Sequence, residues 1–151
     1  MDIRIDNLSG PEIKQLLTEH LEDMFAASPP ECVFALDLNG LKKPNITFWT
    51  VWEDSQLLGC GALKTLDETH AEIKSMRTTN AARNKGVAST LLHHILDAAK
   101  QKGLNKISLE TGSQDFFAPA RKLYAKHDFN ECGPFSDYKL DTYSVFMTRN
   151  L

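Results

Sequence analysis

Two cationic side chains and a glycine lie together in the segment Arg83-Asn84-Lys85-Gly86-Val87-Ala88, directly before a run of residues with helical periodicity. The free backbone N–H groups at the start of a helix attract anions, and Arg83 and Lys85 add positive charge. Gly86 lets the backbone approach a ligand closely. The segment lacks the spacing of a Walker loop, and no Gly-x-Gly-x-x-Gly occurs anywhere in the chain. It predicts a phosphate-binding turn, with a solvated turn as the alternative.

Residues that often bind metals or form disulfides show no such pattern. His93 and His94 are adjacent on a predicted helix and point about 100° apart, so they do not form the i, i+4 pair of a zinc site. Cys32, Cys60 and Cys132 are far apart, with no Cys-x-x-Cys pair. We expect no metal site, and three free thiols that are buried or partly buried.

Length and charge limit the class of protein. A chain of 151 residues buries roughly two thirds of its unfolded surface around one core. Its 17 lysines and arginines against 20 aspartates and glutamates give a net charge of −3 without a basic tract, which disfavours nucleic acid as a partner. The sequence contains neither a leader-like start nor an apolar run of membrane-spanning length. We expect one cytoplasmic domain over residues 1–151, with no membrane partner.

The elements that must position the turn alternate between strand and helix patterns. Strands are predicted at Asp2 to Asp6, Ile46 to Trp52, Gln56 to Leu66, Ala71 to Thr79, Lys106 to Thr111 and Tyr143 to Arg149. Helices are predicted from the capping box Ser9-Gly10-Pro11-Glu12 to about Phe25, from Val87 onwards, and at Pro119 to Lys126. The segment Glu31 to Leu41 fits a short helix or a strand, with helix favoured.

Details within these elements carry further expectations. The helix that begins at Val87 has apolar residues at spacings of three and four, which predicts that one face packs on the sheet, and Gly103 should cap its end. Trp49 and Trp52 are three apart on a strand, so one should face the core and the other the opposite side. The predicted class is mixed α/β.

The order of these elements and two motifs resemble the GNAT superfamily of N-acetyltransferases. The turn at Arg83 to Ala88 resembles that superfamily's pyrophosphate loop, Arg/Gln-x-x-Gly-x-Gly/Ala. The segment Ala120 to Phe129 resembles its motif Ala-x-x-Leu-Tyr-x-x-x-Gly-Phe, with Asp128 at the usual glycine. Further blocks resemble the YsnE-like branch of bacterial acetyltransferases, namely Leu58 to Lys64, Glu72 to Thr78, Leu109 to Ser113, Pro134 to Tyr138 and Ser144 to Met147.

This resemblance implies a GNAT fold, in which a central, mostly antiparallel and splayed β-sheet is flanked by helices. It also implies an acetyl-coenzyme A-dependent enzyme that moves an acetyl group by direct transfer to a primary amine of a small molecule or peptide. The cofactor would be acetyl-coenzyme A or coenzyme A. A non-catalytic acyl-coenzyme A sensor and an interaction domain are the alternatives, and a homodimer is one candidate assembly.

The resemblance also implies roles for individual residues. The cofactor-binding residues would be Met76, Arg77, Thr78, Arg83, Asn84, Lys85, Gly86, Val87, Ala88, Ser89, Phe117 and Tyr124. Phe117 stands where many relatives carry an asparagine, so Ser113 or Gln114 would supply the missing polar contact. Tyr124 would be the general acid and Glu72 the general base, with His20, His70 and Glu110 as rivals for the base.

The acceptor site implied by the resemblance lies between the first helix with its following loop, His20 to Glu31, and the segment Phe135 to Tyr143. Acidic residues there would suit a cationic amine. The expected acceptor-binding residues are His20, Glu22, Asp23, Glu31 and Glu110.

Overall fold

The structure of the protein, a computed structural model, describes all residues from Met1 to Leu151. Its strands are β1 (Asp2–Ile5), β2 (Ile46–Glu53), β3 (Gln56–Thr65), β4 (His70–Thr78), β5 (Lys106–Gly112), β6 (Asn130–Cys132) and β7 (Ser144–Asn150). Its α-helices are α1 (Pro11–Ala27), α2 (Leu38–Leu41), α3 (Val87–Gln101) and α4 (Ala118–Lys126). Single 3₁₀ turns lie at Pro30–Cys32, Asn80–Ala82 and Asp115–Phe117.

The seven strands form one sheet in the order β1-β2-β3-β4-β5-β7-β6. Every neighbouring pair is antiparallel except β4 and β5, which run parallel. A core cluster of 18 buried residues joins one face of the sheet to α3, where Leu91, Leu92 and Ile95 are at most 1% exposed. A second cluster of 9 buried residues joins the other face to α1 and α2. The predicted mixed α/β class is confirmed.

The sheet opens between its two parallel strands. Pairing of β4 with β5 stops at Ile73 and Leu109, although β5 continues along β7 to Gly112. Within β4, Ser75 has a φ of +56°, and the β3–β4 register slips by one residue. Such a bulge bends a strand and ends its pairing. From Lys74 to Thr78, β4 therefore has no strand partner on its β5 side.

Residues with positive φ lie at both ends of α3 and at the C-terminal end of α4. Gly86 precedes α3 with a φ of +78°, and Gly103 follows it with a φ of +82°, so the predicted cap at Gly103 is confirmed. Asp128 follows α4 with a φ of +68°. The N–H of Phe129 donates to the Tyr124 carbonyl and that of Asp128 to the Ala125 carbonyl, which completes a Schellman motif. Aspartate thus takes the left-handed conformation that glycine usually supplies.

Two local predictions near the N-terminus are wrong. Gly10, not Ser9, is the N-cap of α1, and no side chain caps this helix, because the Ser9 hydroxyl donates to Asn7 instead. The segment Glu31 to Leu41 is not one helix. It holds the end of a 3₁₀ turn, an extended stretch and the four-residue α2, whose Asp37 cap accepts from the Gly40 N–H at 2.8 Å.

Other expectations about burial are confirmed. Trp49 is 2% exposed in the cluster that contains α3, whereas Trp52 is partly buried against the cluster on the other face. Cys60 is buried, and Cys32 and Cys132 are partly buried free thiols. No helix is long and apolar enough to cross a membrane.

Candidate active site

A cavity of about 880 Å³ enters the sheet at the opening between β4 and β5. One of its ends lies against the turn at Arg83 and the first residues of α3. The other is walled by α1, the segment Cys32 to Ala35, and Tyr143. The end of β5 and the start of α4 line the space between them. A single cavity thus joins the predicted phosphate turn to the predicted acceptor region.

The turn before α3 presents a row of free amides. The backbone N–H groups of residues 84 to 89 donate no hydrogen bond to the protein, and the first N–H of α3 with a partner is that of Thr90, which donates to the Gly86 carbonyl at 3.0 Å. A Cβ on Gly86 would meet no atom within 4 Å, so the approach to these amides is open. This is an anion-binding geometry, because free N–H groups converge at the positive end of the helix dipole.

Ser89, in the first turn of α3, is held by His127, the residue that follows α4. Its Oγ lies 3.0 Å from Nε2 of His127, whose Nδ1 lies 2.9 Å from the Leu123 carbonyl oxygen. A carbonyl can only accept, so Nδ1 donates to the Leu123 oxygen, and in a neutral imidazole Nε2 then accepts the Ser89 hydroxyl. His127 is 6% exposed and fixes this side chain of the turn.

Tyr124 projects from α4 to the same cavity. The residue is 6% exposed, its ring centroid lies 5.7 Å from that of Phe129, and its hydroxyl makes no hydrogen bond to the protein and is not enclosed by it. Burial raises the pKa of the Tyr124 phenol, since a phenolate would be poorly solvated there. The hydroxyl therefore keeps its proton at neutral pH and is free to donate to a ligand.

Glu110 lines the cavity on the opened side of β5. Its Oε2 accepts the Ser144 hydroxyl at 2.8 Å. Burial raises the pKa of the Glu110 carboxyl from 4.5 to about 7, although the bond from Ser144 and the charge of Lys74 oppose this change. A carboxyl with a pKa near the working pH can both accept and release a proton, as a general base must.

Glu72, by contrast, lies in a closed network behind the cavity wall. It is 2% exposed and is not among the residues that line the cavity. Its Oε2 accepts the Tyr138 hydroxyl at 2.5 Å and pairs with Lys74 Nζ at 3.1 Å. Lys74 Nζ also donates to the Tyr138 oxygen at 3.0 Å. This network fastens the segment before β7 to β4.

On the α1 side, Arg77 and His20 form a second polar group. Arg77 Nη2 pairs with Asp23 Oδ2 at 2.6 Å, while its Nε is buried without a hydrogen bond. His20 is 8% exposed and its Nδ1 is also buried without a partner. Burial, followed by the nearby Arg77 charge, lowers the pKa of His20 from 6.5 to about 4. His20 is therefore neutral at physiological pH.

Most of the predicted site residues meet at this cavity. Those that line it are His20, Met76, Arg77, Thr78, Arg83, Asn84, Gly86, Val87, Ala88, Ser89, Glu110, Phe117 and Tyr124. Those that lie outside its lining are Glu22, Asp23, Glu31, Glu72 and Lys85. The roles predicted for all of them stay predictions.

The start of α4 departs from the expected polar arrangement. The Phe117 ring packs against Gly112 so closely that a Cβ there would overlap it. Neither Ser113 nor Gln114 lines the cavity. The Ser113 hydroxyl donates to the Thr142 carbonyl, and the Gln114 amide donates to the Ala27 carbonyl, which ties this loop to α1. Phe117 therefore meets the cavity as an apolar wall.

Three contributors to the site were missed by sequence reasoning. Lys74 lines the cavity from β4, Ser144 donates to Glu110, and Tyr138 joins Lys74 to Glu72. Tyr138 lies in the segment Phe135 to Tyr143 that is predicted to form part of the acceptor site, but nothing local signals its contact with Lys74 across 64 residues.

An opened sheet, free amides at a helix start and proton-carrying side chains between them define the class of acyl-transferring enzymes. The model described as the acetyltransferase (GNAT) family matches residues 13–129. The chain is 52% identical over 151 residues to the uncharacterized N-acetyltransferase YsnE of Bacillus subtilis (strain 168), with 100% of both chains covered. It is 47% identical over 149 residues to the uncharacterized N-acetyltransferase YedL of Escherichia coli (strain K12), with 99% of this chain and 94% of that one covered.

A solved structure extends the likeness to the fold. The GNAT family acetyltransferase from Elizabethkingia anophelis with acetyl-CoA bound is 17% identical, with a TM-score of 0.70, and 99% of this chain and 97% of that chain are covered. The chain belongs to the acetyltransferase (GNAT) family. It is an N-acetyltransferase of the YsnE-like branch, as its motifs predict.

Proposed function

We propose that the protein transfers the acetyl group of acetyl-coenzyme A directly to a primary amine of a small molecule or peptide. The observation that carries this proposal is the single cavity that joins free amides at the start of α3 to Glu110 and Tyr124. An anion-binding turn alone would serve a sensor equally well. A carboxyl whose pKa is raised to about 7, facing the same cavity, supports a catalyst instead.

The cofactor fits the residues that are present. The unbonded N–H groups of residues 84 to 89 would hold its diphosphate, with Arg83 as the nearby cation. The unpaired edge of β4 from Lys74 to Thr78 offers backbone groups to its pantetheine arm. When bound, acetyl-coenzyme A supplies a thioester whose acetyl group an amine can accept.

Within this proposal Glu110 is the general base. An amine must lose its ammonium proton before it can react, and a carboxylate that lines the cavity can take that proton directly or through one water. Glu110 meets this requirement, and its pKa of about 7 matches neutral conditions. Glu72 is enclosed by Lys74 and Tyr138, so we assign it to holding the wall of the acceptor region instead.

Tyr124 is the general acid of the proposal. Its hydroxyl holds a proton at the cavity surface with no competing partner in the protein. Burial raises the pKa of this phenol, so the hydroxyl keeps its proton until a leaving thiolate beside it can accept that proton. Direct attack of the amine on the thioester needs none of the three cysteines as an acyl carrier.

The cofactor assignment predicts that coenzyme A stabilises the folded protein. At about 100 times its Kd, a ligand of the native state alone adds about 2.7 kcal/mol to the free energy of unfolding, which raises the Tm of a chain of this size by roughly 5–10 °C. Differential scanning fluorimetry should show this shift for coenzyme A, and a far smaller one for pantetheine at equal concentration. An equal shift with pantetheine would contradict the role of the turn at Arg83.

The same assignment predicts that Gly86→Glu weakens coenzyme A binding by roughly 10- to 100-fold, because it places a carboxylate beside the diphosphate amides. Gly103→Glu is the matched control. Gly103 also has a positive φ, also has no atom within 4 Å of a Cβ position, and lies at the opposite end of α3. Both variants carry similar backbone strain, so isothermal titration should separate them. Equal Kd values in two folded variants would remove the diphosphate from this turn.

A further inference from the structure

Two cationic side chains lie on the α1 face of the opened sheet, largely out of solvent. The Lys74 and Arg77 side chains are each 8% exposed and both line the cavity. Residues three apart on a strand normally face opposite sides, but the bulge at Ser75 inserts an extra residue. Lys74 pairs with Ala62 and Arg77 with Cys60, and both partners belong to the core cluster on the α1 face.

These two side chains retain unused hydrogen-bond donors. Lys74 Nζ contacts the Glu72 carboxylate and the Tyr138 oxygen, which leaves one of its three N–H groups without a protein acceptor. Arg77 uses Nη2 for Asp23, its Nε is enclosed by the protein, and its Nη1 makes no hydrogen bond and is not enclosed, which leaves Nη1 as the donor for a ligand. Lysine and arginine side chains can only donate. A ligand that completes this wall must therefore bring acceptor atoms, and a carboxylate is the strongest acceptor for such donors.

The amine of that ligand can lie beside Glu110, which is close to Lys74 across the opening of the sheet. β4 and β5 pair as far as Ile73 and Leu109, so Lys74 and Glu110 are the next residues along the two strands. The charge of Lys74 also acts on the Glu110 carboxyl. A site with a cation and a carboxyl on neighbouring strands can receive a molecule that carries an amine and a carboxylate a few bonds apart.

The remaining walls argue against a ligand with many positive charges. Glu110 is the one carboxylate among the residues that line the cavity, since Glu22, Asp23 and Glu31 lie outside the lining. A polyamine would find a single partner for several ammonium groups. The acceptor end instead has apolar and aromatic walls beside the neutral His20 and Ser28, with Met24, Val33, Phe34 and Tyr143 among them.

We propose that the acceptor is a small amino acid with an apolar or aromatic side chain, whose carboxylate binds Lys74 and Arg77 and whose amine lies beside Glu110. This inference rests on the proposed function and names the acceptor class of that same site. Both Lys74 and Arg77 contribute donors that an amine without an acidic group would leave unsatisfied.

The test compares each amino acid with the amine that remains when its carboxylate is removed. L-phenylalanine is paired with 2-phenylethylamine and L-leucine with 3-methylbutylamine, with rates expressed per concentration of free base, and spermidine serves as the polycation. Acetyl transfer is followed by release of free coenzyme A thiol. We expect kcat/KM for the amino acids to exceed that for their partner amines by roughly 10- to 100-fold, as a charge-assisted hydrogen bond would give.

The cation is then removed without leaving a buried charge behind. Lys74→Met is made together with Glu72→Gln, because Lys74→Met alone would leave the Glu72 carboxylate unpaired. The Glu72→Gln single variant is the reference, and Lys106→Met, an exposed lysine at the far end of β5, is the matched charge control. The amino acid advantage is the ratio of kcat/KM for an amino acid to kcat/KM for its partner amine. We expect this ratio to fall to within about threefold only in the double variant. A ratio of two substrates is insensitive to partial unfolding, which lowers both rates equally.

Three results would overturn the inference. They are an absence of turnover with both amino acids, an equal or faster rate with the partner amines or spermidine, and an unchanged amino acid advantage in the double variant. An equal loss for both substrates, with a weaker coenzyme A Kd, would assign Lys74 to the cofactor and reject it as a carboxylate ligand. Failure of the proposed function itself is distinguishable, since it would abolish acetyl transfer to every amine tested, the partner amines and spermidine included; coenzyme A would still stabilise a sensor and would not stabilise an interaction domain.

Discussion

Tyr124→Phe is expected to lower kcat by roughly 100- to 10,000-fold, the range of a positioned general acid, and to leave the Kd of acetyl-coenzyme A within about threefold. The variant removes one hydroxyl that makes no hydrogen bond to the protein and keeps the ring that packs 5.7 Å from Phe129. Stability should therefore change by less than about 0.5 kcal/mol. Single-turnover kinetics with saturating amine would isolate the chemical step.

A triple Cys→Ser variant is the control for that experiment, because it is expected to stay active where Tyr124→Phe is not. Direct transfer needs no thiol on the protein, so replacing Cys32, Cys60 and Cys132 should leave the chemical rate within a few fold if the protein folds. Burial raises the pKa of the Cys60 thiol to about 12, which leaves it un-ionised and a poor nucleophile. Full activity in Tyr124→Phe would reject the assigned acid, whereas a folded but inactive triple variant would indicate an acyl-cysteine route.

The parts of the fold that could be predicted are those with a strong local period or turn signal. Helix α3 was predictable because its apolar spacing and Gly103 act within a few residues of each other. The β2–β3 hairpin has two long apolar runs on either side of a short polar turn. Strand β6 was not predicted, since Asn130–Cys132 is only three residues long and is defined by its pairing with β7.

The cofactor end of the site was more accessible to sequence reasoning than the acceptor end. The turn at Arg83 to Ala88 is one continuous segment, so the anion-binding amides and the cationic side chains beside them can be recognised from a single stretch of sequence. The acceptor end depends on long-range contacts, such as that of Tyr138 with Glu72 across 66 residues and that of Ser144 with Glu110 across 34. The difference between Glu110, which lines the cavity, and Glu72, which is buried behind its wall, likewise depends on the folded sheet. From the sequence, Glu72 is the expected general base and Glu110 a rival; the cavity lining that leads us to propose Glu110 instead is a property of the fold.

The effect of Glu110→Gln should be as large as that of Tyr124→Phe. A neutral amide cannot accept the amine proton, so kcat/KM is expected to fall by roughly 100- to 10,000-fold at neutral pH. In the wild-type protein, kcat/KM should rise with pH through about 7, where Glu110 ionises, and this inflection should vanish in the variant. The ionisation of the amine itself adds a second rise, which remains in both proteins and can be measured with acceptors of different basicity.

Ser144→Ala sharpens this assignment, because it alters the pKa of Glu110 without removing the carboxyl. The Ser144 hydroxyl donates to Oε2 at 2.8 Å and favours the charged form, so its loss should move the inflection in kcat/KM to higher pH. An inflection that stays in place in Ser144→Ala and persists in Glu110→Gln would reject Glu110 as the base. Neutral His20, which also lines the cavity, would not produce such an inflection, because its pKa is lowered to about 4; with His20 as the base, kcat/KM would show no ionisation of the base near pH 7.

Stability gives a readout of the same carboxyl that does not depend on catalysis. The pKa of Glu110 is higher in the folded protein, about 7 against an ordinary 4.5, so the folded state holds an extra proton between these values. Its stabilising contribution is complete below pH 4.5 and is lost as the pH rises through about 7. Glu110→Gln, which has nothing to ionise there, should gain stability relative to the wild type over that interval. Urea unfolding at pH 4.5 and pH 8 measures the difference, and a difference that does not change with pH would show that burial does not raise the pKa of Glu110.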